Sequence, residues 1–160
     1  RMIEQTLVLV KPDGVARGLV GEVISRFENR GLKIVALKMV KIDTDFSKKH
    51  YAAHVDKDFY AGLENFIVSG PVIAMIVEGV DAIENVRKLC GATESKSALP
   101  GTIRGDYSHV SYSHADEKGM AIKNIIHASG DKEDAEKEVS LWFSVDELHG
   151  YSRSGEEHVF

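Results

Sequence analysis

The stretch VIAMIVEGVDAIENVRKLCG, residues 72–91, decides the fold because it predicts a strand and an amphipathic helix in direct succession. The uninterrupted apolar run at its start is typical of a strand, and Asp81 is placed to cap the helix that follows. Gly91 is of the residue type that commonly ends helices. The positions expected to face inward between these two ends are Ile83, Val86, Leu89 and Cys90.

The same alternation extends toward both ends of the chain. TLVLV, residues 6–10, predicts a first strand, and a helix with apolar residues at helical spacing follows at 20–30. The remaining predicted elements are a strand at 32–42, helices at 46–54 and 59–69, a strand at 124–129 and a helix from about residue 131. This order predicts a four-stranded sheet in a ferredoxin-like arrangement, with helices covering one face.

Two regions lack these signals. Residues 92–119 show no convincing period and are predicted to be a long loop, which in a compact domain is usually functional or mobile. The tail from Ser144 is predicted to be coil with few packing residues.

Composition narrows the class of protein. The 160 residues fit one domain, and the net charge of −5 argues against a large nucleic-acid surface. The longest apolar run, VIAMIV, is far short of the roughly 20 residues that cross a bilayer, so we expect neither membrane insertion nor export. Cys90 is the single cysteine; it forbids an internal disulfide and favours the cytoplasm.

Three cationic side chains lie beside predicted turns: Lys11, Arg87 and Arg104. Arg104 is framed by Gly101 and Gly105, and its planar fork suits phosphate oxygens, although an exposed arginine in a salt bridge is the common alternative. The chain contains neither GxxxxGK[ST] nor GxGxxG. A phosphate site in this protein must therefore be built from side chains.

His127 is the most informative histidine. The stretch KNIIHASGD, residues 123–131, places it at the end of a strand, before a small-residue turn and a helix N-terminus that favours anions. Glu138, in the following helix, can reach back to a ring nitrogen and fix the tautomer. From spacing alone, a core residue, a metal ligand, a proton shuttle and a nucleophile all remain open.

Other candidates have weaker signals. His50 and His54 are spaced like zinc ligands on a helix, but Tyr51 stands where the HExxH pattern needs a glutamate, so we expect no metal site there. Trp142 falls at helical spacing and is predicted to be a packing residue. The polar and aromatic residues near element ends, each with a core or capping role as the alternative, are Tyr51, Phe59, Thr93 and Asn124.

Taken together, these segments resemble the nucleoside diphosphate kinase family. The matching stretches occur in the family's order over nearly the whole chain: VKPDGVARGLVGEVISRFENRG, HYAAHVDKDFYAGL, SGPVIAMIVEG, PGTIRGD and NIIHASGD. The last is close to the family signature N-[IV]-[IV]-H-[GA]-S-[DS]. The resemblance implies a single α/β (α+β) ferredoxin-like domain over residues 2–160, with an antiparallel sheet. It also implies transfer of a terminal phosphate from a nucleoside triphosphate to a nucleoside diphosphate.

Residue roles follow from the same resemblance. His127 matches the nucleophile that becomes phosphorylated, and Ser129 and Glu138 match its supporting partners. Phe59 matches the aromatic residue on which the base stacks. The residues that match the phosphate and ribose contacts are Lys11, Tyr51, Arg87, Thr93, Arg104 and Asn124. The family implies Mg²⁺ carried by the nucleotide phosphates, with no protein side chain as a metal ligand, and a homo-oligomer that is a hexamer or sometimes a tetramer.

The chain departs from common family members by an insertion of about ten residues within Ser108–Gly119. We expect this insertion to serve assembly or a lid rather than chemistry. The rival interpretations are a nucleotide-binding regulatory module without turnover, which would not need a reactive histidine among three cations, and an RNA-binding domain on the same fold. The second would need a basic face and stacking aromatics on the sheet, and the sequence has neither.

Overall fold

The computed structural model describes residues 3–160 and is built on a four-stranded antiparallel sheet in the order β2-β3-β1-β4. The strands are β1 (Ile3–Val10), β2 (Lys33–Val40), β3 (Val72–Val80) and β4 (Ile126–Ala128). This arrangement confirms the ferredoxin-like fold class. The apolar runs of β1 and β3 are explained by their central position, which buries both faces of each strand.

Helices lie on both faces of the sheet, so the expectation that they cover one face was wrong. They are α1 (Pro12–Ala16), α2 (Val20–Asn29), α3 (Thr44–His50), α4 (Tyr60–Ile67), α5 (Ala82–Cys90), α6 (Ile103–Tyr107), α7 (Tyr112–Glu117) and α8 (Lys132–Trp142). Phe27 of α2 and Val86 of α5 pack on one face, whereas Ile67 of α4 and Trp142 of α8 pack on the other. Side chains of a strand alternate between faces, and the continuous apolar runs of β1 and β3 therefore supply two cores.

Some predicted boundaries need correction. The helix predicted at 46–54 is α3 and ends at His50, and the residues after it form turns. The residues predicted as a loop at 92–119 contain a 3₁₀ turn at Ser95–Ser97 as well as α6 and α7. Such short helices show too few turns to produce a period in the sequence. Asp81 precedes α5 but has a left-handed backbone and makes no capping hydrogen bond.

The C-terminal tail is packed rather than loose coil. Arg153 donates from its two terminal nitrogens to the carbonyls of Leu32 and Gly31, both at 2.8 Å. The His149 N–H donates to the carbonyl of Val35 at 2.9 Å. The tail thus covers the first half of β2, an edge strand whose backbone groups would otherwise face solvent.

β4 determines where the candidate site forms. His127 pairs with Leu9 of β1, so its side chain points to the face that carries α3, α4 and α8. Among the described residues, no helix is both long and apolar enough to cross a membrane.

Candidate active site

His127 is partly exposed to solvent and is held by a carboxylate. Its Nε2 is 2.9 Å from Oε1 of Glu138, and the same oxygen accepts a hydrogen bond from Ser129 Oγ at 2.8 Å. Asp131 caps α8 and accepts from the Asp134 N–H, which fixes the start of the helix that carries Glu138. A carboxylate only accepts hydrogen bonds, so the neutral His127 ring carries its proton on Nε2 and exposes a lone pair on Nδ1.

The carboxylate of Glu138 is kept ionised. Burial alone would raise its pKa, but the hydrogen bond and the charge of His127, together with His50 and Ser129, bring the pKa below its ordinary value. Glu138 can therefore hold the His127 tautomer throughout the neutral pH range.

Two arginines flank His127 through the backbone of its own strand. Arg104 donates to the carbonyl of Ile126 at 2.6 Å, and Arg87 lies 3.4 Å from the carbonyl of Ala128. β4 is an edge strand, so these carbonyls are free of β1 and available to the guanidinium groups. A second bond from Arg104 to the Gly91 carbonyl, at 2.9 Å, completes its anchor.

The turn around Arg104 requires the glycine that follows it. A Cβ on Gly105 would lie 2.0 Å from the carbonyl oxygen of Leu99, so only glycine permits this packing. Arg104 is itself buried, and desolvation lowers its pKa from the ordinary value without removing its charge near neutral pH. A buried guanidinium interacts strongly with an anion because water screens it little.

Lys11 and Asn124 form a second polar cluster. Lys11 Nζ donates to Asn124 Oδ1 at 2.8 Å, and Asn124 Nδ2 donates to the Thr93 carbonyl at 2.6 Å. Burial, followed by the charge of Arg104, lowers the pKa of Lys11 to about 8. The side chain of Thr93 is exposed to solvent.

A row of aromatic rings runs from the exposed Phe59 to His127. Phe59 is 54% exposed and its ring centroid is 5.7 Å from that of His54. Tyr51 lies between His54, at 6.5 Å, and His50, at 4.6 Å. The ring of His50 is in turn 4.9 Å from that of His127. The structure therefore brings the residues singled out in the sequence together around His127, either directly or through this row. We call the space that these residues surround the cleft.

Sequence reasoning did not assign three residues that contact the site, His50, Trp142 and Asp13, to the site itself. His50 packs against His127, and Trp142 donates to His50 Nδ1 at 3.0 Å. Asp13 accepts from the Ile125 N–H at 3.0 Å and supports a residue with a φ of 76°, a strained conformation for an isoleucine. The KPDG turn beside a strand end was the available signal for Asp13.

Within the described residues, one set of side chains has the donor atoms to hold a metal ion. His50, His127 and Glu138 each offer one ligand atom, and these atoms lie within 4.8 Å of one another. His50 and His54, the i, i+4 pair at which no metal site was expected, do not share a helix because α3 ends at His50.

Comparison with known proteins assigns the chain to a family. The family model described as nucleoside diphosphate kinase matches residues 4–148. The chain belongs to the nucleoside diphosphate kinase family.

Relatives and solved structures of this family cover nearly the whole chain. The nucleoside diphosphate kinase of Borreliella burgdorferi is 48% identical over 99% of both chains, and that of Pyrococcus furiosus is 50% identical over 96% of this chain and 91% of its own. A transition-state mimic of the Borrelia burgdorferi enzyme, with bound vanadate and ADP, superposes with a TM-score of 0.94 at 48% identity and covers 98% of this chain and 96% of its own. A Halobacterium salinarum nucleoside diphosphate kinase in complex with CDP superposes with a TM-score of 0.87 at 46% identity, covering 99% of both.

Proposed function

We propose that the protein transfers the terminal phosphate of a nucleoside triphosphate to a nucleoside diphosphate through a phosphorylated His127. The observation that carries this proposal is the bond between His127 Nε2 and Glu138, at 2.9 Å. It leaves Nδ1 as the only ring nitrogen with a free lone pair. An unprotonated nitrogen that is held in one orientation is what a nucleophile in covalent catalysis requires.

The transfer occurs in two half-reactions. In the first, Nδ1 attacks the γ-phosphorus, the N–P bond forms, and the bond from phosphorus to the β–γ bridging oxygen breaks, so that the nucleoside diphosphate leaves. In the second, a terminal phosphate oxygen of another nucleoside diphosphate attacks the phosphohistidine and restores the free ring. Donor and product are both phosphoanhydrides, so one site serves both directions.

Lys11, Arg87 and Arg104 supply the electrostatic part of the mechanism. Charge in the loose transition state spreads over the equatorial oxygens of the phosphoryl group, and preorganised cations stabilise it without reorganising. Arg104 and Lys11 are already fixed by hydrogen bonds to Ile126, Gly91 and Asn124. Their orientation is therefore set before the nucleotide binds.

Mg²⁺ fits this site only when it is bound to the phosphates of the nucleotide. Glu138 Oε1 is already bonded to His127 and Ser129. The other side chains around the proposed phosphate position are cations, hydroxyls and an amide, which suit phosphate oxygens, whereas Mg²⁺ prefers oxygen ligands with negative charge. Lys11, Arg87 and Arg104 would hold the phosphates that carry the ion. Bound there, Mg²⁺ would neutralise part of the phosphate charge.

The base is held by stacking on Phe59, with Thr93, Tyr51 and Asn124 near the phosphates and ribose. Phe59 is half exposed and offers a ring face to the cleft rim. Stacking has little preference among bases. We therefore expect purine and pyrimidine nucleotides, with ribose or deoxyribose, to be used at similar rates.

Covalent labelling tests this function. Incubation with a triphosphate and Mg²⁺, without an acceptor, should place about one acid-labile phosphate on each chain, and steady-state kinetics should be ping-pong. His127→Asn should abolish labelling and exchange while nucleotide binding persists, since the cations are separate from the attacking atom. A folded His127→Asn protein that takes up phosphate at the wild-type rate would refute the proposal.

The insertion within 108–119 is proposed to link residues 94–96 to α4, the helix that follows Phe59, in one domain with the rest of residues 2–160. On one side the Tyr112 N–H donates to Glu94 Oε2 at 2.9 Å and the Lys96 N–H donates to the Val110 carbonyl at 3.0 Å. On the other side, Met120 and Ala121, which directly follow the segment, lie against α4: a Cβ on Gly62 would be 3.4 Å from the Ala121 nitrogen, an ordinary contact distance. α4 begins directly after Phe59.

Two glycine variants test this role of the insertion. Gly62→Val adds a branched side chain against the backbone of Met120 and Ala121 and should push α4 away from it. The KM for nucleotides should rise severalfold because Phe59, which precedes α4, moves, and the rate of phosphoenzyme formation at saturation should not change. Gly21→Val is the matched control, since a Cβ on this helical glycine meets nothing within 4 Å. Equal KM values for the two variants would contradict the connection.

Assembly into a homo-oligomer, a hexamer or a tetramer, also belongs to the proposal. Leu37 and Met39 of the edge strand β2 are 53% and 59% exposed, and an apolar edge strand that is left open favours pairing. Light scattering coupled to chromatography should give the mass of an assembly. A monomer at micromolar concentration would contradict this part.

A cytoplasmic location completes the proposed function. Cys90 is a free, buried thiol, and burial raises its pKa to about 11, so it is unreactive and suited to a reducing compartment. Fractionation of the source cells should find the activity with the cytoplasmic nucleotides.

A further inference from the structure

His50 makes a hydrogen bond that fixes its tautomer. Trp142 Nε1 is 3.0 Å from His50 Nδ1, and Trp142 is only 3% exposed. An indole N–H can only donate, so His50 Nδ1 must accept. The proton of the neutral His50 ring therefore lies on Nε2. A protonated ring would place two N–H groups against each other.

The surroundings of His50 also favour the neutral ring. Burial is the largest cause that lowers its pKa, to about 3, and the neighbouring His127 is the next. Glu138 acts in the opposite direction, whereas Lys11 and His54 act with burial. The titratable and charged groups around the ring are His127 on β4, Glu138 on α8, Lys11 after β1, and Tyr51 and His54 after α3.

We propose that His50 is a positioning residue for His127, held by Trp142 as a neutral Nε2–H imidazole that packs edge to face on the reactive ring. The two rings are 4.9 Å apart with an interplanar angle of 81°. Glu138 holds one edge of the His127 ring through Nε2, and His50 supplies a wall that limits rotation about that bond. This inference rests on the proposed nucleophilic role of His127.

Neutrality of His50 matters because Glu138 is shared. Oε1 of Glu138 already binds His127 and Ser129. A positive charge on His50 would compete with His127 for this carboxylate, since opposite charges at this range attract strongly in a buried site. The Trp142 bond removes that competition by disfavouring the protonated ring.

The same bond argues against a metal ion on His50, His127 and Glu138. To bind a metal through Nε2, His50 would carry its proton on Nδ1, which faces the Trp142 N–H. To bind through Nδ1, it would lose the indole bond and leave a buried donor without an acceptor. Both routes cost a buried hydrogen bond, so the positioning role is the one that the contacts favour.

Trp142→Phe tests the inference because phenylalanine keeps an aromatic ring but removes the donor. Long-range ¹⁵N–¹H NMR of the wild type should show His50 as the Nε2–H tautomer, and the variant should show a mixture. Single-turnover phosphorylation by ATP should slow about tenfold, with KM within about twofold, as expected when a group that orients a reacting residue is lost. The variant's pH profile should also gain a titration that the wild type lacks.

Phe46→Leu is the matched control, because the Phe46 ring packs on Trp142 with the centroids 4.7 Å apart and has no hydrogen-bonding group for the indole N–H. It should keep the wild-type tautomer and rate. If Trp142→Phe does not fold, His50→Asn and His50→Gln replace it: Asn preserves an acceptor at the Nδ1 position, and its phosphorylation rate should exceed that of Gln.

Two results would overturn the inference: an Nδ1–H tautomer at His50 in the wild type, or wild-type phosphorylation kinetics and pH profile in Trp142→Phe. Failure of the proposed function is separate, since it would appear as labelling that persists in His127→Asn. The tautomer measurement needs no activity at all.

Discussion

The two walls of the cleft are held in different ways. On the phosphate side, Arg104, Lys11, Asn124 and Glu138 are each fixed by hydrogen bonds of 2.6–2.9 Å to backbone or side-chain atoms. On the base side, Phe59 is 54% exposed, and its ring lies near the His54 ring and the Lys57 ammonium. Transfer needs a geometry that is fixed before binding, whereas acceptance of different bases needs a surface that adapts.

The largest expected effect comes from removing the side chain of Arg104, on the phosphate side of the cleft. Arg104→Ala should lower the rate of phosphoenzyme formation about 10²–10³-fold, as loss of one preorganised donor to a transition state commonly does. It should also reduce the free energy of unfolding by about 1–3 kcal/mol, because the carbonyls of Gly91 and Ile126 lose their donor. Stopped-flow and denaturant titration measure the two effects.

Arg30→Ala is the control for Arg104. Arg30 is exposed directly after the last residue of α2 and donates to Asn85 at 3.1 Å. Its loss should leave both the rate and the stability close to wild type. A similar drop in rate for the two variants would mean that net charge, and not the position of Arg104, carries the effect.

The sequence predicted the sheet and the position of His127 well, because strands and the strand-turn-helix around His127 are local patterns. It did not predict that helices cover both faces of the sheet. It also missed the short helices within 92–119, because such helices have too few turns to produce a period in the sequence. His50 and Trp142 were assigned to a weak metal pair and to packing. Their bond joins residues 92 positions apart, and only the packing of α8 against α3 brings them together.

The second effect concerns the partner of the nucleophile. Glu138→Gln should slow phosphorylation by about 10- to 100-fold without abolishing it, since glutamine can donate as well as accept and no longer selects the Nε2–H tautomer. Rapid-quench labelling measures this. Ser129→Ala, which removes only the second bond to Glu138 at 2.8 Å, should have a smaller effect. The reverse ranking would shift the orienting role to Ser129.

The pH dependence of the reaction tests the role of Lys11, which lies on the phosphate side of the cleft. Because burial lowers the pKa of Lys11 to about 8, the side chain is charged below that pH and loses its charge as the pH rises through it. The kcat/KM for a nucleoside diphosphate should therefore fall above about pH 8, by at most about tenfold per pH unit. Lys11→Arg, which stays charged, should lose this decline even if its plateau is lower.

The smallest effect is expected from changes to Phe59, on the exposed base side of the cleft. Phe59→Ala should raise the KM for nucleotides about fivefold, equivalent to about 1 kcal/mol, the low end for stacking because the ring is half exposed. The loss should be similar for adenine and cytosine nucleotides, and the phosphorylation rate at saturation should not change. Phe59→Tyr, which retains the ring, should behave as wild type. A loss confined to one base would reveal a base-specific contact.

The central claim is that Nδ1 of His127 accepts the phosphate because Glu138 occupies Nε2. The most direct measurement is ³¹P and ¹⁵N NMR of the protein after incubation with ATP and Mg²⁺ alone, with the phosphorylated residue identified by peptide mapping. The account predicts about one phosphate per chain, on Nδ1 of His127. Phosphate on Nε2 of His127, or on Ser129, would contradict it, since either would require the bond between His127 and Glu138 to have no orienting role.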